Sequence, residues 1–263
     1  MKRFLFPFGC ALGLLASLLS SCSVYAPMQP TVSTIRHKGE TEISASIQPN
    51  GRVEAGVVHS PIANVLVSGA ATFRPKTNDS SSLNTRQWEL GLGTYRAVGP
   101  HWLFTGLTGG GFATTHKSIM TKELEVFPLG VRNERYQYDA RYGKLFGQLN
   151  ASYAFRGGEV GAAYRLTYLH FRDLTWQYNG YATPIPVKTM LRHEPQLFCR
   201  VNLDRQQPTR WQLQAAVGMS LGRATAAPEY LNEPTWQETT RLRLPAPTAS
   251  LGVVFRPGKR AGK

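Results

Sequence analysis

The stretch Arg210-Trp-Gln-Leu-Gln-Ala-Ala-Val-Gly-Met-Ser-Leu-Gly222 alternates between two kinds of side chain. Its odd-numbered positions are apolar, and its even-numbered positions are polar or small. A run of about 11 residues with one apolar face is long enough for a tilted β-strand to cross a bilayer. The stretch therefore predicts a transmembrane strand that directs Leu213, Val217 and Leu221 toward lipid and Gln212 and Gln214 toward a lumen.

Most of the chain repeats this alternation. Mean hydropathy is −0.26, and no apolar run after residue 22 is long enough for a membrane helix. Barrel strands need apolar residues only at alternate positions, so a low mean hydropathy is compatible with a membrane barrel. The pattern predicts an all-β protein, an antiparallel up-and-down transmembrane β-barrel of about ten strands over residues 40–257, followed by a basic tail at 258–263.

The connections between the predicted strands fall into two classes. One end of the barrel has short turns and the other has long polar loops, apart from the first hairpin at Pro49–Gly51. Bacterial outer-membrane barrels have short periplasmic turns and long extracellular loops, whereas a soluble sandwich has no reason to separate them. The short turns are Ser60–Asn64, Val98–Pro100, Arg156–Glu159 and Asp204–Arg210, and the long loops are Arg74–Asn84, Thr115–Ala140, Arg172–Lys188 and Arg223–Pro245.

The predicted inner faces contain charged residues of both signs. Buried charges must pair or remain hydrated, and a ten-stranded barrel is narrow. We expect these side chains to form a polar network that fills much of the lumen, and we expect aromatic residues near the strand ends to form a membrane girdle. The predicted network is Glu54, Glu89, Arg165, Arg192, Glu194 and Arg200, and the predicted girdle is Trp102, Tyr153, Phe155, Trp211 and Phe255.

The N-terminus has the features of a secretory signal peptide. Lys2 and Arg3 precede an apolar stretch that ends at Leu19-Ser20-Ser21-Cys22. This ending resembles the bacterial lipobox, which predicts cleavage after residue 21 and lipid attachment at Cys22. An ordinary signal peptide cut near Ala26 is the alternative. Residues 22–39 are expected to tether the lipid anchor to the barrel, with the anchor in the periplasmic leaflet of the outer membrane.

A family resemblance rests on Cys22-Ser-Val-Tyr-Ala-Pro27, on Lys38-Gly-Glu40 and on Ser60-Pro-Ile-Ala-Asn64. These segments resemble a family of Bacteroidetes-type small outer-membrane β-barrel lipoproteins. The resemblance is sharpest over the first third of the mature chain. It implies the barrel architecture and the lipid anchor, and it implies little about activity.

The chain is strongly basic. Loss of residues 1–21 removes Lys2 and Arg3 and no acidic residue, so the net charge falls from +14 to +12. A positive excess favours anionic partners. Because export makes nucleic acid an improbable partner, we expect outer-membrane lipid and lipopolysaccharide phosphates to be the partners. The candidate contacts are the loop residues Lys117, Lys122, Arg132, Arg135 and Lys188, and the alternative is that these are solvated loop charges without a partner.

Candidate catalytic residues are sparse. His170 with Asp173, and His116 with Asp139, lie near the predicted outer rim, but no nucleophile elbow is present. The histidines show no metal-ligand spacing, and Cys199 fits a lipid-facing strand position. We therefore predict a structural or interaction role, without catalysis, metal or cofactor. The alternatives are an outer-membrane hydrolase with a rim active site and a lipid-tethered periplasmic β-sandwich.

Overall fold

The computed structural model describes residues 25–74, 81–125, 130–178, 180–203, 210–224 and 245–257. Every regular element in these ranges is a β-strand, and none contains a helix that is long and apolar enough to cross a membrane. The strands are β1 Thr41–Ile47, β2 Val53–His59, β3 Val65–Arg74, β4 Ser81–Val98, β5 Trp102–Glu125, β6 Gly130–Phe155, β7 Gly158–Tyr178, β8 Tyr181–Pro184, β9 Thr189–Asn202, β10 Trp211–Ala224 and β11 Ala246–Phe255.

The strands form one closed antiparallel barrel. Each strand from β1 to β7 pairs with the next, β7 pairs with β9, and β9 continues through β10 and β11 back to β1. The short β8 pairs with the far end of β7, on the same edge as β9. It therefore does not add a separate strand to the circumference of the barrel. The barrel therefore has ten strands around its circumference, which confirms the predicted fold class.

The predicted faces of β10 agree with the structure. Leu213 and Leu221 are exposed on the outer surface, whereas Gln212 and Gln214 are 2% and 6% exposed inside the barrel. The same alternation continues around the wall. One face of each strand meets an apolar medium and the other a polar interior. A shift of one residue in the pairing would exchange the two faces, so the alternation also specifies the strand register.

A band of exposed apolar side chains surrounds the barrel between two aromatic belts. At the short-turn end, Trp211 contacts Phe255 with ring centroids 4.4 Å apart, and Trp102 contacts Tyr153. At the other end Phe73, Trp88 and Phe112 are exposed. Ten residues of β5 separate Trp102 from Phe112, which is about 25 Å of height for a strand tilted by about 40°. This height equals the apolar band of outer-membrane barrels.

The wall is much taller on one side than the sequence predicts. Thr115–Ala140 is predicted as a loop, but β5 continues to Glu125 and β6 begins at Gly130. Part of the predicted loop Arg172–Lys188 likewise belongs to β7 and β8. Beyond the apolar band the outward side chains no longer meet lipid, and the outward His116 and Ser118 are polar like the buried inward Thr115 and Lys117. The alternation that identifies a strand is therefore lost, while the hydrogen-bond ladder continues.

The glycines of β5, Gly109-Gly110-Gly111, allow close packing within the wall. A Cβ atom added at Gly111 would lie 2.0 Å from the Trp88 carbonyl oxygen and 2.9 Å from the Glu89 Cα. A side chain at this position would therefore collide with backbone of β4.

Residues 25–35 lie inside the barrel, which differs from the predicted external tether. Tyr25, Met28, Val32 and Ile35 are all buried, and Ile35 is 0% exposed. This segment, called the lumen segment below, has no regular secondary structure. Its apolar residues find contacts in the lumen that they would lack in solvent, which is the physical reason for the difference.

Candidate functional site

The lumen segment runs through the part of the barrel interior that the apolar band surrounds. Tyr25 lies at the level of Tyr142 and Glu194, toward the end with the tall strands. Ile35 lies near Val58 and Tyr95, close to the short turns. The chain then leaves the lumen at the short-turn end, where Gly39 adopts a positive φ of 77° and the first strand begins.

An apolar pocket in the lumen holds Ile35. Its wall includes Leu103 and Leu107, which point inward on β5, and Phe146 on β6. These inward leucines lie beside the polar lumen residues Thr105 and Gln148. They are explained by the lumen segment, because Ile35 gives them an apolar partner.

Arg200 joins three parts of the lower lumen. Its guanidinium lies 2.7 Å from Glu42 and donates to the Val32 carbonyl oxygen at 2.8 Å and to the Thr34 hydroxyl at 3.0 Å. Glu42 in turn accepts from the backbone N–H of Thr34 at 3.1 Å. The backbone of the lumen segment is thereby bound by a charged pair from the wall, which satisfies polar groups that would otherwise be buried unpaired.

A second charged group lies at mid-height. Arg165 and Lys144 contact Glu89 at 3.0 and 2.9 Å. Arg165 also donates to Gln148, and Gln148 donates to the carbonyl oxygen of Thr31 at 2.6 Å. The wall network and the lumen segment therefore form one hydrogen-bonded system.

A third group contacts the segment from the first hairpin. Arg52 pairs with Glu54 at 2.8 Å and also donates to the Pro27 carbonyl oxygen. Glu54 accepts from the Gln29 backbone N–H at 3.1 Å. Pro27 has no N–H of its own, so its carbonyl is the backbone group that needs a partner at this position.

Tyr25 occupies the upper lumen. Its hydroxyl donates to Glu194 at 2.8 Å, and the Arg192 guanidinium lies 5.0 Å from the centre of its ring. Thr167 and Ser220 also donate to Glu194. A buried tyrosine with a bonded hydroxyl and a cation over its ring is well fixed.

The structure places the six predicted network residues inside the barrel, each at most 7% exposed. It also adds lumen residues that the sequence argument did not include: Glu42, Arg52, Lys144 and Glu159. The alternation in β6 could have identified Lys144, since it precedes the outward Leu145. The lumen segment itself had a weaker signal: residues 23–35 contain no charged residue, which is unusual for a solvent-exposed tether.

Of the two candidate His–Asp pairs at the rim, the described hydrogen bonds join only one. His116 Nδ1 lies 2.7 Å from Asp139 Oδ1, on the outer surface of β5 and β6. No described hydrogen bond joins His170 to Asp173. Ser118 lies two residues beyond His116 on the same face, but the described hydrogen bonds place no hydroxyl on the Nε2 of His116.

Other predicted sites are resolved only in part. Cys22 lies outside the described residues, and Cys199 is a free thiol. In the described ranges, no group of three or more His, Cys, Asp or Glu side chains could hold a metal ion. Among the predicted lipid contacts Lys117 is buried at 8% exposure, whereas Arg135 and Lys188 are exposed. The side chains of Lys122 and Arg132 lie outside the described part.

Comparison with known proteins gives architectural likeness alone. No family model matches the chain and no curated protein matches it, so the family resemblance stays a prediction. The translocator domain of the autotransporter NalP from Neisseria meningitidis is 11% identical, with a TM-score of 0.41, over 95% of this chain and 96% of that one. Acinetobacter baumannii CarO is 9% identical, with a TM-score of 0.22, over 83% of this chain and 97% of that one. At such identities and TM-scores nothing about activity follows.

Proposed function

We propose that the chain is an outer-membrane β-barrel lipoprotein with a structural or interaction role, whose lumen is closed by its own lumen segment. One observation supports the membrane location above all: the wall is apolar outside and charged inside. Exposed leucines such as Leu149 and Leu197 face outward at 70% and 62% exposure, while Arg165 and Arg200 are buried in the lumen. A soluble sandwich would bury the leucines and expose the arginines.

The closed lumen favours an interaction role over conduction. The lumen segment is bound at Ala26, Pro27, Thr31 and Val32 through its backbone carbonyls. The charged groups that would line a water-filled pore are instead used to bind this segment. The outer surface and the tall strands of such a protein are available to partners, whereas its lumen has no continuous channel.

The path of the segment bears on the proposed anchor. Tyr25 lies near the tall-strand end, and three residues of extended chain reach at most about 11 Å. An acyl group on Cys22 would therefore lie near the tall-strand end of the barrel. Because the long connections of outer-membrane barrels face outward, this path favours an anchor in the outer leaflet over the periplasmic leaflet that the sequence suggests.

Heat-modifiable migration tests the barrel. The full chain, extracted in detergent, should migrate faster unboiled than boiled, because a closed barrel resists unfolding by detergent at room temperature. A chain that migrates identically in both states would contradict the barrel and support a tethered soluble domain.

Ester hydrolysis at the rim is a second candidate function, favoured by the His116–Asp139 hydrogen bond at 2.7 Å. Asp139 occupies Nδ1 and leaves Nε2 for a nucleophile, as the Ser–His–Asp arrangement requires. Ser118 is the candidate nucleophile. Labelling by a fluorophosphonate probe that disappears in both Ser118→Ala and His116→Ala would support hydrolysis, and an unlabelled wild-type chain would exclude a nucleophilic serine.

A further inference from the structure

Three exposed arginines lie side by side on the outer surface of the tall strands. Arg86 on β4 is opposite Thr114 on β5, and Thr114 is opposite Arg141 on β6. Arg141 is opposite Asp173 on β7, next to Arg172. The arginine row, defined as Arg86, Arg141 and Arg172, therefore crosses four adjacent strands, or about 14 Å at the usual strand spacing.

A β-bulge directs two consecutive side chains, Arg172 and Asp173, outward. The pairing of β6 with β7 shifts between Arg141 and Tyr142, so Arg172 is the extra residue between Phe171 and Asp173. Phe171 and Leu174 are buried while Arg172 and Asp173, between them, are both exposed. Without the bulge, strict alternation would turn Arg172 or its neighbour toward the lumen.

The row lies on the upper aromatic belt. Trp88 and Phe112 contact one another one step below it, with ring centroids 5.4 Å apart. The Arg172 guanidinium lies 5.1 Å from the centre of the Phe112 ring, and that of Arg86 lies 5.8 Å from the centre of the Phe73 ring. The belt marks the edge of the apolar band, so the guanidinium groups lie at the level of lipid headgroups.

The row has an excess of positive charge. Asp173 is exposed in the same row, and no described ion pair joins it to the three arginines. Asp139, one step higher, is bonded to His116. Guanidinium groups bind phosphate oxygens in pairs of parallel hydrogen bonds, which makes arginine well suited to this ligand.

We propose that the arginine row binds the phosphates of lipid A in lipopolysaccharide. The inference rests on the proposed function, which places this end of the barrel in the outer leaflet. A row about 14 Å wide offers positions for two phosphates on one lipid, whereas a glycerophospholipid diester supplies one. The site differs from the loop residues that the sequence predicted for this partner.

Native mass spectrometry of the detergent-solubilised full chain tests the site. Bisphosphorylated lipid A should bind at least about tenfold more tightly than phosphatidylglycerol, and inorganic phosphate should not compete. The triple variant Arg86→Gln/Arg141→Gln/Arg172→Gln should weaken lipid A binding at least about tenfold, the order expected for three basic groups at an anionic surface. Asp173→Asn, which removes the opposing charge, should strengthen it.

A matched control has the same change of charge at the short-turn end: Arg96→Gln/Arg156→Gln/Arg210→Gln, all at exposed positions. It should bind lipid A within about twofold of the wild-type chain. Equal weakening by both triple variants, an unaffected arginine-row variant, or equal binding of phosphatidylglycerol would overturn the site.

Heat-modifiable migration is measured on every variant. A shift retained in an arginine-row variant with unchanged lipid A binding rejects the site alone and leaves the barrel intact. A wild-type chain without the shift rejects the proposed function and the site with it.

Discussion

The guanidinium of Arg200 donates to the carbonyl oxygen of Val32 at 2.8 Å, although 168 residues separate them in sequence. This contact joins the ninth strand to the lumen segment. It shows how the barrel satisfies its buried charges: they bind the chain's own backbone as well as each other. The network predicted as pairs of wall residues is in fact a binding site for residues 25–35.

Replacement of Arg200 by Met tests this network. The change removes the donor of two polar groups of the segment and leaves Glu42 with Arg256, at 3.3 Å, as its remaining cation. Breaking a buried pair typically costs about 3–5 kcal/mol. Urea unfolding of the barrel in vesicles measures the loss. The exposed Arg96→Met is the control and should cost less than about 0.5 kcal/mol. Equal small effects from both variants would mean that the network is not formed.

Ile35→Ala tests whether the lumen segment is packed. Ile35 is 0% exposed among Leu103, Leu107 and Phe146, so loss of its side chain should cost about 2–5 kcal/mol. Ile62→Ala, at 60% exposure in a short turn, is the matched control and should have little effect. An external tether would give the opposite expectation, namely that neither change matters.

Leu149→Arg tests the outward face. Leu149 is 70% exposed near the middle of the apolar band, opposite Gly106 and Tyr164, and an arginine at the bilayer midplane costs about 2–4 kcal/mol. Tyr181→Arg, at 81% exposure in the tall hairpin, should be nearly neutral. Folding into vesicles at graded urea concentrations measures both. If Leu149→Arg is tolerated as well as Tyr181→Arg, this face does not meet lipid.

The side of the membrane reached by the N-terminal end is testable with a peptide tag. A tag inserted before Tyr25 should react with antibody on intact cells, like a tag in the hairpin between Tyr178 and Tyr181. A tag in the turn between His59 and Val65 should react only after the cells are opened. A tag before Tyr25 that shares the behaviour of the turn would place the anchor in the periplasmic leaflet.

The sequence predicts the membrane-spanning part of this fold well, for a physical reason. Where one face meets lipid and the other a polar lumen, the alternation of Leu213 with Gln212 and Gln214 predicts the strand. It also predicts which side chains face outward. Above the apolar band this contrast ends, so the strands around His116 and Tyr138 look like loop. The lumen segment has no period at all, because side chains on every side of it are in contact with the wall.

The arginine row shows a different limit. The three arginines are far apart in the sequence, and nothing around any one of them marks a binding site. They become neighbours only through the register of four strands. The bulge at Arg172 further shifts the pairing by one residue. Pairing register and bulges are decided by the whole sheet, so no local pattern around Arg86 or Arg141 could reveal the site.

Conductance in planar bilayers tests the closed barrel most directly. The wild-type chain should insert without forming a steady pore, because residues 25–35 fill the lumen. A variant in which residues 25–35 are replaced by a Gly/Ser sequence of equal length should conduct, since a flexible polar chain cannot replace the contacts of Tyr25, Val32 and Ile35. A steady pore in the wild-type chain, or a replaced variant that stays fully closed, would contradict a barrel closed by its own N-terminal segment.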